Sequence, residues 1–229
     1  EQVLDGTTIL SWLTINDDLS VTVDSDMAAS YAQQLASKYN TYASTRSFET
    51  TAGDTVKIGG GDYGWVINKK GEAAQIVEDI KNGESVTREP KYEQRAFVEG
   101  ADDIGNTYIE IDYTNQHLWY YKDGSLVVDS DIVSGNLNNG NGSPDGVFKV
   151  ISRQSPATLK GEDYESDVTY FMPFAYNVGL HDASWRSSFG GSIYKNGGSH
   201  GCINLPYDAA DTIYKNVELG TPVVAYYRE

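Results

Sequence analysis

The sequence predicts a mostly β domain, of sandwich or barrel-like type with one or two helices, preceded by a smaller mixed α/β domain. Three observations predict this. From Tyr108 onward, short β-favouring runs recur between turn-forming residues, the signature of antiparallel β structure. Before it, apolar residues recur at helical spacing in two segments. Between these patterns lies Glu99-Gly100-Ala101-Asp102-Asp103-Ile104-Gly105-Asn106, small and polar, which places a boundary that divides the chain into 1–102 and 103–229. A chain of 229 residues accommodates one large or two modest domains, taking roughly 150 residues per domain.

In the first part, Tyr31, Leu35, Tyr39 and Tyr42 recur along residues 27–43 behind Asp24 and Ser25 as possible N-caps, which predicts an amphipathic helix. A second helix is predicted over 72–82, where Ala73, Ile76, Val77 and Ile80 form one stripe and Gly83 follows as a stop. Between them Thr55-Val56-Lys57-Ile58 leads into Gly59-Gly60-Gly61. That triple glycine has neither the Gly-Lys-Ser/Thr ending nor the GxGxxG spacing of a phosphate cradle, so it reads as a loop or hairpin.

Past the boundary, strands are predicted over 108–113, 117–121, 126–133 and 147–151. Thr114-Asn115-Gln116 and Lys122-Asp123-Gly124 supply turns between them. Residues 134–146, rich in Gly and Asn and holding Pro144, read as a long surface loop. Residues 179–186 read as a shorter one. A late helix after Pro206 carries Ala209, Ala210, Ile213 and Val217, and 222–227 is the last strand.

Composition narrows the function. With 39% hydrophobic and 12% aromatic residues, the chain can build sizeable cores and is not a disordered acidic segment. The formal net charge is −16, from 33 acidic and 17 basic residues, and no cluster of cations offsets it. Nucleic acid and anionic membrane surfaces are therefore disfavoured as partners. No run approaches the roughly 20 apolar residues of a membrane span, and no signal segment opens the chain. Because it begins at Glu1 and not Met, the expectation is a fragment or processed form with any membrane anchor upstream.

The single cysteine, Cys202, excludes both an intramolecular disulfide and a four-cysteine zinc site. It lies in Gly197-Gly198-Ser199-His200-Gly201-Cys202-Ile203-Asn204. If this stretch is extended, His200 and Cys202 share a face. Gly201, lacking Cβ, lets a substrate carbonyl approach main-chain N–H groups, as an oxyanion site requires. A thiol of pKa about 8.5 needs a base or a positive neighbour to react near neutrality. Two of the three histidines could serve, His200 and His181; His117 reads as a residue on a hairpin face.

His181, followed after 17 residues by Ser199-His200-Gly201-Cys202-Ile203-Asn204, resembles the signature of the L,D-transpeptidases, the YkuD-type catalytic domain of bacterial cell-wall synthesis. Ile109-Glu110-Ile111-Asp112, Gln116-His117-Leu118-Trp119, Val133-Ser134-Gly135 and Ser143-Pro144-Asp145-Gly146-Val147-Phe148 fit the same family, so that the similarity spans about 106–227. Ser143 stands where many members have Thr, which retains a hydroxyl. The first hundred residues resemble, in size and pattern, the mixed α/β domain of enterococcal-type members, a peptidoglycan-binding or spacer domain.

The resemblance implies a two-step acyl transfer. Cys202 would attack the carbonyl of the third, L-configured residue of a peptidoglycan tetrapeptide stem, releasing D-Ala and leaving a thioester. An acceptor amine on a neighbouring stem would then take the acyl group, forming a 3→3 cross-link. His181 would be the base and His200 an aid to positioning or substrate binding. The N–H groups of Gly201 and Cys202 would stabilise the oxyanion, supported by Ser199 and Asn204, with Arg186 and Trp185 bordering the groove. Carbapenems are implied as covalent inhibitors at Cys202, and the setting as extracytoplasmic, at the cell wall.

Three other readings remain open on the residues. His181, His200 and Cys202 are legitimate zinc ligands, but no HExxH-type pattern accompanies them, and no metal or other cofactor is expected. Water in place of the amine would give an L,D-carboxypeptidase. A non-catalytic wall-binding protein would place the function in the first domain.

Overall fold

The structure is a computed structural model describing residues 2–83, 85–100, 102–161 and 165–228. In chain order the elements are α1 (Gly6–Leu10), β1 (Leu13–Ile15), β2 (Val21–Val23), α2 (Ser25–Tyr39), β3 (Arg46–Glu49), β4 (Thr55–Ile58), β5 (Val66–Ile67), α3 (Lys69–Asn82) and β6 (Tyr92–Gln94). There follow β7 (Tyr108–Asp112), β8 (His117–Lys122), β9 (Ser125–Asp131), β10 (Gly146–Lys149), β11 (Ala157–Lys160), β12 (Glu165–Val168), β13 (Phe171–Ala175) and β14 (Val178–Asp182). The chain ends with α4 (Ile193–Gly197), β15 (Ile203–Leu205), α5 (Tyr207–Asn216) and β16 (Pro222–Tyr226).

Two compact units form, but not as consecutive pieces. One comprises Glu1–Thr41 with Gly64–Arg95, the other Tyr42–Tyr63 with Ala96–Glu229. The single cut read at 102/103 thus differs from the observed division, because the β3–β4 hairpin belongs with the second unit. Ala101, within the segment read as the boundary, lies outside the described residues.

The first unit is the mixed α/β one. α2 starts where its cap predicts, the Asp24 side chain accepting from the Asp26 and Met27 N–H groups. It stops at Tyr39, short of residue 43, because Asn40 turns to extended backbone. Its buried line is Ala28, Ala32 and Ala36, while Tyr31 and Leu35 are half-buried and Tyr39 is exposed. The tyrosine stripe is therefore the flank of the contact and not its centre. Small side chains on the contact line let α3 pack closely, and Trp12, Ala28 and Ile76 make the core there. α3 begins earlier than predicted, at Lys69, capped by Asn68 Oδ1 on the Gly71 N–H at 2.8 Å. The α1 helix and the β1–β2 hairpin have no counterpart in the sequence reading.

The second unit is mostly strand. A five-stranded sheet runs β10-β16-β7-β8-β9, with β16 parallel to β7 and the other neighbours antiparallel. A three-stranded sheet runs β13-β14-β15, with β14 parallel to β15. Ile109, Ile111, Leu118 and Tyr120 of the first sheet share one core with Met172, Phe174, Leu180 and Ile203 of the second and with Ala210 and Ile213 of α5. Full burial of each such side chain contributes about 1.5–3 kcal/mol, so this core dominates the unit's stability. No helix among the described residues is long and apolar enough to cross a membrane.

The triple glycine has a structural use. Gly61 bridges to Val147, and a Cβ on Gly61 would lie 2.0 Å from the Val147 carbonyl oxygen. Only a residue without a side chain permits that backbone approach. The nearby hairpin is tied down electrostatically as well. Glu110 is fully buried, and its carboxylate accepts from the Thr51 N–H at 3.1 and 3.2 Å, the Thr51 hydroxyl at 2.6 Å and the Tyr226 hydroxyl at 2.7 Å. Removing one donor to a buried charge costs about 1–3 kcal/mol. Thr51→Val is accordingly expected to lower the urea unfolding free energy of the second unit by about 1–3 kcal/mol. An unchanged midpoint would show that Thr51 does not hold this carboxylate.

Candidate active site

His181 lies on β14, inside the segment read as a loop. All five residues of this strand are buried, with His181 only 3% exposed. A central strand of the form Val-Gly-Leu-His-Asp lacks the alternation that marks a half-exposed strand, so periodicity misses it. The parallel register with β15 sets Leu180 opposite Ile203, His181 opposite Asn204 and Asp182 opposite Leu205. Asn204 is thereby placed beside the imidazole.

Cys202 immediately precedes β15, and it sits on a bend and not on an extended run. Gly201 has φ +124°, which breaks the alternation expected for His200 and Cys202. Both side chains nevertheless reach one pocket. The turn is closed by Ser199, whose hydroxyl donates to the Cys202 carbonyl at 2.5 Å and accepts from the Gly201 N–H at 3.0 Å. The Gly201 N–H, expected to face an oxyanion, is thus engaged inside the turn. Among the described residues no acceptor contacts the Cys202 N–H.

The His181 ring is held at both nitrogens. Nδ1 lies 2.8 Å from the Asp182 carbonyl oxygen, which can only accept, so Nδ1 carries the proton. Nε2 then presents a lone pair, and it accepts from Asn204 Nδ2 at 3.0 Å. Arg186, which can only donate, fixes that amide through Nε to Asn204 Oδ1 at 2.6 Å, and its Nη2 donates to the Gly197 carbonyl at 2.9 Å. Arg186 thereby reaches the imidazole through Asn204.

Burial shifts both the imidazole and the thiol toward neutrality. Desolvation lowers the His181 pKa below its ordinary value, opposed by the hydrogen bond to Asp182. Desolvation likewise raises that of Cys202, opposed by the Gly179 N–H. At rest the pocket holds a thiol, directed to the Asn177 carbonyl at 3.9 Å, and a neutral imidazole whose Nε2 is engaged by Asn204.

A pocket of about 200 Å³ joins these groups, lined by His181, Trp185, Arg186, Gly198, Ser199, His200, Cys202 and Asn204, together with Leu159 of β11 and Ser166 of β12. Cys202 is half-buried and His200 is exposed at its rim. Trp185 is 53% exposed, its ring centroid 5.9 Å from that of His181. Every residue singled out around Cys202, save Gly201, whose contribution is backbone, is therefore on this pocket wall. His117 is not. It faces Asp131 at 2.9 Å and Asp129 at 2.5 Å on β9 and stacks on Trp119, as a hairpin-face residue would. Among the described residues no group of three or more His, Cys, Asp or Glu side chains is arranged to hold a metal ion.

Several contributors escaped the sequence reading. The Asp182 carbonyl, the Gly179 N–H and the Asn177 carbonyl, 3.9 Å from the thiol, are backbone atoms that carry no residue signature. Leu159 and Ser166 arrive from a hairpin the sequence reading left unassigned. Ser143 was visible within a motif, but nothing in sequence showed that its hydroxyl donates to the Gly201 carbonyl.

Comparison with known proteins matches this geometry to a family. The model of the L,D-transpeptidase catalytic domain, YkuD, matches residues 106–224, and that of a putative peptidoglycan binding domain matches residues 4–88. A crystal structure of the Enterococcus faecium L,D-transpeptidase, in a cysteine-to-serine mutant, is 38% identical over 97% of this chain and 90% of its own, with a TM-score of 0.82. The Ldtfm–avibactam carbamoyl enzyme is also 38% identical, over 99% of this chain and 89% of its own, with a TM-score of 0.83. A search of curated proteins gave no match. With the signature residues gathered on one pocket and the family model covering more than half of its length, the chain belongs to the YkuD-type L,D-transpeptidases.

Proposed function

We propose that this L,D-transpeptidase forms 3→3 peptidoglycan cross-links through a thioester on Cys202. The observation that carries the reading is the state of His181: a buried imidazole whose Nδ1 proton is held by a carbonyl, so that Nε2, which accepts from Asn204 at rest, is the ring atom able to take a proton, on the pocket that holds the thiol. In the first half-reaction the thiol proton passes to Nε2 as Sγ bonds to the carbonyl carbon of the third stem residue. The tetrahedral intermediate collapses with cleavage of the C–N bond, and the imidazolium returns the proton to the departing D-Ala amine. In the second, an acceptor amine attacks the thioester, gives a proton to Nε2, and the thiolate leaves and is reprotonated.

The other residues have supporting parts. The Cys202 N–H stabilises the oxyanion. Asn204 swings from Nε2 or shares it as the proton moves, and Arg186 keeps that amide oriented. His200 and Trp185, at the rim, contact the stem. The putative peptidoglycan binding domain supports a cell-wall setting for the reaction. The relative that forms a carbamoyl enzyme with avibactam supports a nucleophile that takes acyl-type groups covalently, and carbapenems are expected to acylate Cys202 in the same way.

Incubation with a disaccharide-tetrapeptide is expected to yield cross-linked dimers and free D-Ala. Tripeptide without dimers would indicate the carboxypeptidase instead. Cys202→Ala is expected to abolish product, and His181→Gln to lower kcat by about 10²–10⁴-fold, the usual contribution of a general base. Persistent cross-linking by Cys202→Ala would end the thioester reading. A carbapenem should add its mass to the intact protein and leave Cys202→Ala unmodified.

The pH dependence follows from the two shifts. With its pKa lowered by burial, His181 is protonated, and lost as a base, only at a pH below the ordinary histidine range, while the thiol, raised by burial, ionises only above the ordinary cysteine range. The acylation rate constant is therefore expected to be flat between about pH 7 and 8.5 and to fall on the acid side. A tenfold rise per pH unit across that window would mean that a preformed thiolate reacts without the base.

A further inference from the structure

We propose that Ser143 is a positioning residue that aims the Cys202 N–H at the developing oxyanion. The inference rests on the acyl-transfer reading of Cys202 and extends it to a side chain outside the pocket. Ser143 is buried, 4% exposed. Its hydroxyl donates to the Gly201 carbonyl oxygen at 2.6 Å and accepts from the Gly135 N–H at 2.9 Å.

The link to the oxyanion is the peptide plane. The Gly201 carbonyl and the Cys202 N–H belong to one planar trans unit, so they point in opposite directions and turn together. A hydroxyl that grips the oxygen therefore fixes where the N–H points. The two flanking peptides are fixed by a different group, Ser199. Its hydroxyl takes the Gly201 N–H on one side and donates to the Cys202 carbonyl on the other. Three successive peptide planes are thus clamped, and the middle one presents its N–H with no acceptor among the described residues. Gly201, at φ +124°, has no side chain to restrict that plane, so the restriction must come from Ser143.

Ser143 is itself held. Its carbonyl accepts from the Tyr227 hydroxyl and that of Pro144 from the Tyr113 hydroxyl, each at 3.1 Å, and the two tyrosine rings pack with centroids 4.8 Å apart. These contacts leave the serine hydroxyl free to satisfy Gly201 and Gly135 alone. A donor pre-aimed at the oxyanion acts only on reactions that build negative charge on oxygen.

That selectivity gives the test. Acylation of Cys202 by a carbapenem or a tetrapeptide passes through an oxyanion. Alkylation by iodoacetamide forms a C–S bond and expels iodide with no oxyanion. Ser143→Ala is expected to slow acylation by about 10–100-fold, somewhat less than deleting a donor outright, through kcat and not KM. Its alkylation rate should stay within about twofold of wild type, and Ser143→Thr should restore acylation. Equal losses in both reactions would overturn the proposal, since the hydroxyl would then act on the thiol or on the fold. So would wild-type acylation by Ser143→Ala. A wild-type protein that is alkylated but never acylated would overturn the acyl-transfer reading itself, and this inference with it.

Discussion

The site depends on one backbone constraint, the parallel pairing of β14 with β15. An antiparallel partner could follow through a tight turn, but a parallel one requires the chain to leave the end of β14, cross over and re-enter from the same end. Residues 183–202 make that crossover. It carries Trp185, Arg186, α4 and the turn that ends at Cys202, so the pairing delivers the indole, the guanidinium and the thiol to one pocket. Register is as consequential as direction, because a slip of one residue would turn the imidazole to the opposite face. With His181 opposite Asn204, the imidazole and the amide that contacts it are neighbours by construction.

The same pairing explains why polar groups at the site are buried and yet ordered. His181, Asp182 and Asn204 are each 2–3% exposed. An unpaired group there would cost about 1–3 kcal/mol. Each instead has a partner: Asp182 Oδ1 accepts from the Tyr170 N–H at 2.7 Å, its carbonyl accepts a hydrogen bond from the His181 Nδ1–H, and Asn204 stands between His181 and Arg186. Every one of these contacts has a direction dictated by a group that can only donate or only accept. The network therefore selects a single tautomer of the imidazole.

The legibility of this protein in its sequence divides along the same line. Side-chain chemistry is legible: one cysteine, two nearby histidines and their spacing point to the pocket, and the hairpin strands from Tyr108 to Asp131 stand where β-favouring runs between turn residues predict them. Backbone chemistry is not. The Asp182 carbonyl, the engaged Gly201 N–H and the peptide plane held by Ser143 depend on φ and ψ, which no residue type announces. Burial also concealed structure. β14 looked like a loop because Gly, His and Asp occupy a strand covered on both faces, and α2 hid its contact line because alanines carry less hydrophobic weight than the tyrosines flanking them. The β3–β4 hairpin lies before the boundary read in sequence yet packs with the second unit, because Thr51 and Gly61 join it to Glu110 and Val147, and contiguity in sequence does not show contiguity in space.

The burial that complicates the first proton transfer assists the second. In the proposed reaction the thiol begins neutral, so His181 must accept a proton that desolvation makes it reluctant to hold. That reluctance becomes useful at the next step, because a poorly stabilised imidazolium is a stronger acid and delivers its proton readily to the departing amine. Once D-Ala has left, the ring is neutral again without waiting on solvent, and its lone pair is available to an acceptor amine entering the same pocket. A solvent-exposed histidine with an ordinary pKa would hold the proton longer and face bulk water as it did so. Burial of His181 to 3% exposure thus favours, in the proposed reaction, a cycle in which one nitrogen receives and returns a proton in each half-reaction.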